Sequence, residues 1–436
     1  MSNDSFHFDT SQNAKPISIV EGIRLAKQSG KGMGAMVREI TKLRFGLGRL
    51  RPDEYFMYGL YDDNRYTPEA KLSFLSQDQN LLVSPWATFA KDKPLLTATL
   101  TGLGLPTPET QAIVHASRTF AGAAALRNRE DVCRFLRQEA RYPIFGKPFD
   151  SACSMGTAKI NGYDRENDAV LIGGDQLIPI DGFADMIESL GQDYLFQTLM
   201  LPHDEIAKLI GPSVSSVRMF VISDEDGCSL FRAAWKIPSN ANSADNFWRV
   251  GNMLAGIDVE TGRIVKTLVR TETGSTVPID AHPVTGADFN DMVFPMWDQM
   301  RSTVLAAAVN LPNCHFQGWD VALTDRGPVL VELEGDGGNP IMEQLCFESG
   351  LLTERYKRVV QWAQKKKDNE QSQLRAQNRS QMKNSLAALV ITPQTNAKKG
   401  DAETVENSAD SANHVSAAVT APVSPLATPE SSSVNS

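Results

Sequence analysis

Residues 318–335 read GWDVALTDRGPVLVELEG: two apolar runs joined by TDRG and carrying three acids, Asp320, Glu332 and Glu334. A three-residue loop of Asp325, Arg326 and Gly327, with Gly327 left-handed, sets Thr324 against Pro328 and Asp320 across from Glu332. Glu334 then shares that face, while Trp319, Val321, Leu323, Val329, Val331 and Leu333 share the other. A two-residue loop slips the register by one and puts Asp320 among the aliphatics. The expectation is therefore a hairpin with an apolar core face and an acidic face. Three like charges so close repel one another unless a cation sits among them. Hard oxygen donors without Cys or His suit Mg²⁺ or Mn²⁺. The bland alternative is the solvated outer face of an edge hairpin, and this segment alone leaves both open.

Outward from the hairpin, strands and helices alternate between about residues 80 and 360. DKPLLTATLTGLGLP (92–106) reads as a helix entered at Asp92 and ended by Gly104 and Pro106. REDVCRFLRQEARYP (129–143) is a second helix, stopped by Pro143, and GFADMIESLG (182–191) a third. DMVFPMWDQMRSTVLAAAV (291–309) reads as one long helix before the hairpin. PIFGKPF, AVLIGG, DYLFQTLM, SSVRMFVIS and SLFRAAWKI read as strands, the last two joined by the acidic turn DEDG (224–227). Helices mixed with hairpins argue for an α+β or α/β fold.

The flanks differ in character. Residues 1–16 are a polar leader, and GMGAMVREITKLRFGLGRLRP (32–52) is an amphipathic helical stretch. Its Arg38, Lys42, Arg44, Arg49 and Arg51 read as a solvated face rather than a dock for a membrane or acidic partner. The pattern divides into a leader and helical extension (1–79), a central domain (80–360), a charged helical segment (361–393) and a tail (394–436). The tail is Ala, Ser, Thr, Val, Asn and Pro, too poor in apolar area to offset ordering, and is expected to be disordered and free to recruit other proteins. A net charge of −9 argues against nucleic acid as a partner. No apolar run approaches a membrane span or a signal peptide, so the chain is expected in the cytoplasm. Cys133, Cys153, Cys228, Cys314 and Cys346 suggest neither zinc nor a disulfide framework.

KPFDSACSMG (147–156) leads from a strand through Lys147 into a turn with Ser151, Ser154 and Gly156. Small residues let backbone N–H groups approach phosphate, and Lys adds a point charge. Cys153 lies there without a partner base and reads as a small filler.

Together these segments resemble the ATP-grasp superfamily, and more narrowly its sugar-transfer-associated family. DK (92–93) resembles the first phosphate-side Lys, KPFDSACSMG the second with its flexible loop, and FQTLMLPH (196–203) the adenine-holding strand and hinge. SSVRMF (215–220) resembles the strand bearing a phosphate-side Arg, and HPVTG (282–286) with the acidic hairpin resembles the closing segments. The resemblance spans roughly residues 35–360.

The resemblance implies a nucleotide held between two α+β subdomains. It assigns ATP to Lys93, Lys147, Ser151, Ser154, Gly156, Gln197, Leu199, Asp204 and Arg218. Asp320, Glu332 and Glu334 fall to Mg²⁺ or Mn²⁺, and Arg218 and Lys147 to catalysis. It further implies a ligase that activates a carboxylate as an acyl phosphate for an amine, in polysaccharide or sugar-conjugate biosynthesis. Arg232, Lys236, Asn246, Arg249 and His282 are candidates for the acceptor or donor pocket. Two departures stand out: Glu334 replaces the usual Asn of Glu-x-Asn, and Gln197 a common acid. The Glu334 departure and the long tail keep open a non-catalytic ATP-binding scaffold, and a small-molecule kinase is a further alternative.

Overall fold

The computed structural model describes residues 17–78, 87–149, 156–173, 176–191, 193–239, 245–335 and 340–389. The expected tail, Ser151, Cys153 and Ser154 lie outside these residues. The described residues up to Leu374 form one compact unit, and those from Arg375 on belong to a second. No described helix is long and apolar enough to cross a membrane.

Four helices come first: α1 (Ile19–Gln28), α2 (Met33–Arg44), α3 (Pro52–Met57) and α4 (Pro68–Leu72). Next come α5 (Ala87–Lys91) and α6 (Lys93–Gly102). The expected N-cap of α6 is present, with the Asp92 carboxylate accepting from Leu95 N at 3.0 Å.

The first sheet holds β1 (Thr110–Val114), β2 (Ala124–Leu126), β3 (Ile144–Pro148), β4 (Ala158–Asp164), β5 (Ala169–Ile172), β6 (Gln176–Pro179) and β7 (Tyr194–Thr198), in the order β2-β1-β7-β3-β4-β5-β6. Only β1 and β2 pair parallel. Helices α7 (Arg129–Arg134) and α8 (Ile180–Ser189) cover one face through Val132, Phe183, Ile187 and their neighbours. The helix expected over 129–141 is shorter than that: α7 passes into a π-type turn over Phe135–Glu139.

A connector with α9 (Asp204–Ile210) leads to the second sheet. Its strands are β8 (Ser216–Asp224), β9 (Gly227–Ile237), β10 (Met253–Ile257), β11 (Ile264–Arg270), β12 (Thr276–Pro278), β13 (Phe316–Thr324) and β14 (Gly327–Glu334), in the order β12-β11-β10-β9-β8-β13-β14. One face carries the main core, in which Trp235, Met253, Trp319 and Leu333 pack on α10 (Trp297–Ala308). The long helix expected over 291–309 begins only at Trp297. Left-handed backbone at Asp291 and Met296, with Pro295 between them, keeps residues 291–296 non-helical.

The β13–β14 hairpin sets Asp320 opposite Glu332 as expected, by a different route. Thr324 pairs with Gly327, so the loop is two residues, not three. The slip is undone by a bulge: Val321 pairs with Leu330, leaving Val331 extra before Glu332. Leu330, not Val331, therefore joins Trp319, Val321, Leu323 and Leu333 in the core.

The other face of the second sheet is covered by α1–α3, by α11 (Ile341–Cys346) and by the start of α12 (Glu354–Leu389). The amino-terminal extension is thus part of this core: Tyr55, Tyr58 and Phe74 pack with Leu254, Leu268 and Leu345. Gln344 binds the extension with both ends of its amide. It donates to Tyr58 Oη at 2.9 Å and Leu75 O at 2.8 Å, and accepts from Leu75 N at 2.8 Å. Backbones meet closely at Gly350, where a Cβ would lie 1.9 Å from Ser73 O. Gly350→Ala is accordingly expected to cost about 1–3 kcal/mol of stability in urea unfolding, because backbone on both sides must move.

Candidate active site

The polar residues gather where one face of each sheet meets the other. On the first sheet, Lys147 pairs with Leu195 and Phe145 with Gln197, which puts Lys147 and Gln197 on one face. On the second sheet, Arg218 pairs with Asp320 from β8 to β13, and Asp320 with Glu332 from β13 to β14. Strand alternation adds Lys236 and Glu334 to this face.

Lys93 ties the two sheets together. Its Nζ donates to Phe149 O, just beyond β3, at 2.9 Å and lies 3.1 Å from Glu332 Oε1 on β14. Its helix start is pinned by Arg118, which lies 2.8 Å from the Asp92 carboxylate and stacks over Phe120 and Phe149. Lys147 is buried beside it. Burial, with the neighbouring Lys93, pulls its ammonium down to about 8 against the opposing pull of Glu332.

Asp320 is the hub of the second sheet. It accepts from Arg218 Nε at 2.6 Å and Nη2 at 3.2 Å, and from Lys236 Nζ at 2.9 Å. Burial alone would raise its carboxyl, but Arg218 and Lys236 outweigh burial and hold it well below the usual carboxylate range. The cations respond in kind. Burial would lower both, yet Asp320 and Glu334 lift Arg218, and Asp245 and Asp320 lift Lys236. Glu334 reaches Arg218 Nη2 at 3.6 Å.

Lys93, Arg218 and Lys236 lie against these acids and offset part of their charge. Among the described residues, no three His, Cys, Asp or Glu side chains stand together as a ready metal cage. The donors nonetheless fit a hard divalent ion. Glu332 and Glu334 are partly exposed on the cleft side, and Mg²⁺ needs only one or two carboxylates when phosphate oxygens and water complete its shell.

The remaining expected residues fall as follows. Gln197 is buried and donates weakly to Thr110 Oγ1 at 3.4 Å. Leu199 N donates to Pro143 O at 3.1 Å in the connector that leaves β7. Gly156 is left-handed, and its carbonyl accepts from Tyr194 Oη at 2.9 Å. Asp204 is exposed in the first turn of α9. Of the acceptor candidates, Lys236 is on Asp320 and Asn246 lies buried beside Phe247. Arg232 is committed to the carbonyls of Glu343, Ser349 and Gly350. His282 Nδ1 accepts from Val284 N and Thr285 N and so caps its own loop.

One residue of this face carried no sequence signal. Glu343, on α11, is fully buried, and neither carboxylate oxygen has a hydrogen-bond partner among the described residues. Burial pushes its carboxyl up to about 8, with Arg218 pulling the other way. A Glu following Ile-Met in a short helix looks like any helical Glu, and only the packing of α11 on the sheet reveals it.

Comparison with known proteins follows this geometry. Residues 186–361 match the family described as sugar-transfer associated ATP-grasp, a segment containing Arg218, Asp320, Glu332 and Glu334 but not Lys93 or Lys147. No curated protein sequence matches. Among solved structures, an L-amino acid ligase from Bacillus licheniformis is similar at 11% identity, over 59% of this chain and 45% of that one, with a TM-score of 0.33. The VanG D-Ala:D-Ser ligase from Enterococcus faecalis is similar at 11% identity, over 64% and 62%, with a TM-score of 0.35. The ATP-grasp ligase PsnB with its minimal precursor reaches 16% identity over 64% and 62%, at a TM-score of 0.33. The chain thus spans about half to three fifths of the length of these structures. From α8 to the first turns of α12, the chain resembles the ATP-grasp superfamily and, within it, the sugar-transfer associated family.

Proposed function

We propose that the protein is an ATP-dependent carboxylate–amine ligase that works between the two sheets. The observation that carries this reading is Lys93, which touches the end of β3 and Glu332 at once and so brings the cations of one sheet to the acids of the other. Lys93 and Lys147 would neutralise phosphate oxygens on the first-sheet side. Gln197, Leu199 and Asp204 would hold the nucleoside, with Ser151, Ser154 and Gly156 over the phosphates. Phosphoryl transfer asks for this kind of positioning and charge neutralisation more than for a protein nucleophile.

Glu332 and Glu334, with Asp320 behind them, would hold Mg²⁺ or Mn²⁺, which when bound spreads the charge of the β- and γ-phosphates. Arg218, oriented by Asp320, would face the transferred phosphoryl group and then the acyl phosphate made from the substrate carboxylate. The amine attacks the acyl carbon and inorganic phosphate leaves. Within this reading the acid is a sugar acid or amino acid used in surface-polysaccharide assembly, and the family's association with sugar transfer supports that choice. The reading also keeps the protein in the cytoplasm and leaves residues 394–436 as a partner-binding tail.

Full-length protein given ATP, Mg²⁺, candidate acids and hydroxylamine is expected to release phosphate and form a hydroxamate, the trapped acyl phosphate. Lys147→Met and Glu332→Gln should each lower that rate by about 10²–10³-fold. A phosphoester product would mean a kinase, and bound ATP with no turnover a scaffold. Either outcome removes the ligase.

A further inference from the structure

Three buried arginines lie on the polar face of the second sheet, and two are satisfied. Arg218 is paired with Asp320, and Arg232 is spent on carbonyls. The third, Arg270, is different. It is 2% exposed, and among the described residues Nε and Nη1 have no hydrogen-bond partner. Among the described residues no acid supports its charge, and burial pulls the guanidinium down to about 10.

Its position is fixed by backbone rather than by side chain. Arg270 N donates to Asn252 O at 2.9 Å, and Arg270 O accepts from Gly251 N at 2.8 Å. Leu268, two residues earlier, pairs with Leu254, which pairs in turn with Lys236. Arg270 therefore lies on the same face as Lys236 and Asp320, one side-chain row (about 6–7 Å) beyond that of Lys236 and two strands across the sheet from it. Trp248 and Phe247 flank its Cζ at 5.2 and 5.9 Å. Rings hold a guanidinium in place but accept no N–H bond in its plane.

A buried cation without a counter-charge is costly, and a merely structural position would tolerate Met or Leu better. Arg is the side chain suited to carboxylate or phosphate. We infer that Arg270 anchors an anion-binding pocket, walled by Phe247 and Trp248, that takes a carboxylate or phosphate group of a small organic molecule. That this group belongs to the second substrate rests on the ligase reading. The pocket itself does not.

The test is thermal unfolding of the full-length protein with acetate in one arm and inorganic phosphate in the other. Wild type is expected to gain about 2–4 °C with the anion the pocket prefers, as ligand binding to the folded state requires. Arg270→Met should abolish that gain while raising the melting temperature without anion, because an unpaired buried charge is gone. Lys42→Met, which removes an exposed cation on α2, should keep the gain. A gain that survives in Arg270→Met, or no gain in wild type with either anion, overturns the pocket. An unstable Arg270→Met without anion would also count against it, as it would show a structural role. Wild type that fails to bind ATP with Mg²⁺ yet keeps an Arg270-dependent gain would remove the ligase reading and leave the pocket.

Discussion

Asp320→Asn is expected to lower turnover by about 10²–10³-fold and to cost about 3–5 kcal/mol of stability. The two effects share a cause. Asp320 is the acceptor for both Arg218 and Lys236, and all three are buried. An amide in its place leaves two cations facing each other in a low-dielectric setting and frees Arg218 from its orientation. Stability and activity separate in the double mutant. Asp320→Asn with Lys236→Met should recover part of the stability, since one orphaned charge is removed, but none of the activity. Denaturant titration and phosphate release on the same samples check both. The pH dependence has a defined sign. Because the folded carboxyl is held low, its contribution is present above the ordinary carboxylate range and is lost as pH falls through the depressed folded value. Asp320→Asn should therefore lie closest to wild type in acid and furthest from it near neutrality.

Glu343→Gln is expected to act in the opposite direction and to stabilise the protein by about 1–3 kcal/mol at pH 7. The folded carboxyl is raised to about 8 from an ordinary 4.5. Below the ordinary value it is protonated in both states and costs nothing. Between the two values the unfolded chain ionises while the folded one keeps its proton, so wild-type stability falls by about 1.4 kcal/mol per pH unit. Above about 8 the loss levels off. Gln has the shape of the protonated acid and does not titrate, so its stability should vary less across this window. Urea midpoints of the two proteins at pH 5, 7 and 9 decide the point. Parallel curves would mean that Glu343 is ionised in the fold.

The architecture was legible where periodicity was strong and hidden where burial was two-sided. Asp92, Gly104 and the apolar spacing between them mark α6 with accuracy, and SSVRMFVIS and SLFRAAWKI mark β8 and β9. By contrast MLAGI, which became β10, is buried at every position and shows no alternation to read. The acidic hairpin shows a right answer reached through wrong local geometry. Chemistry demanded that Asp320 face Glu332, and the chain satisfies this with a tighter turn and a bulge at Val331. The order of Lys93, Lys147, Arg218, Asp320 and Glu332 could be read from sequence; the contact between Lys93 and Glu332 could not, because it joins distant segments. Glu343 and Arg270 were invisible for a related reason. Their significance lies in the lack of partners among the described residues, which only packing can show.

Helix α11 has one further consequence. Glu343 lies near Arg218 and Arg232, while the adjoining Gln344 grips the extension through Tyr58 and Leu75. Two consecutive side chains thus splice the amino-terminal extension to the second sheet. Trimming that extension would strip Gln344 of its latch and let water reach a carboxyl that the intact protein keeps dry. An apparently dispensable appendage would then govern the acidity of a carboxyl beside Arg218.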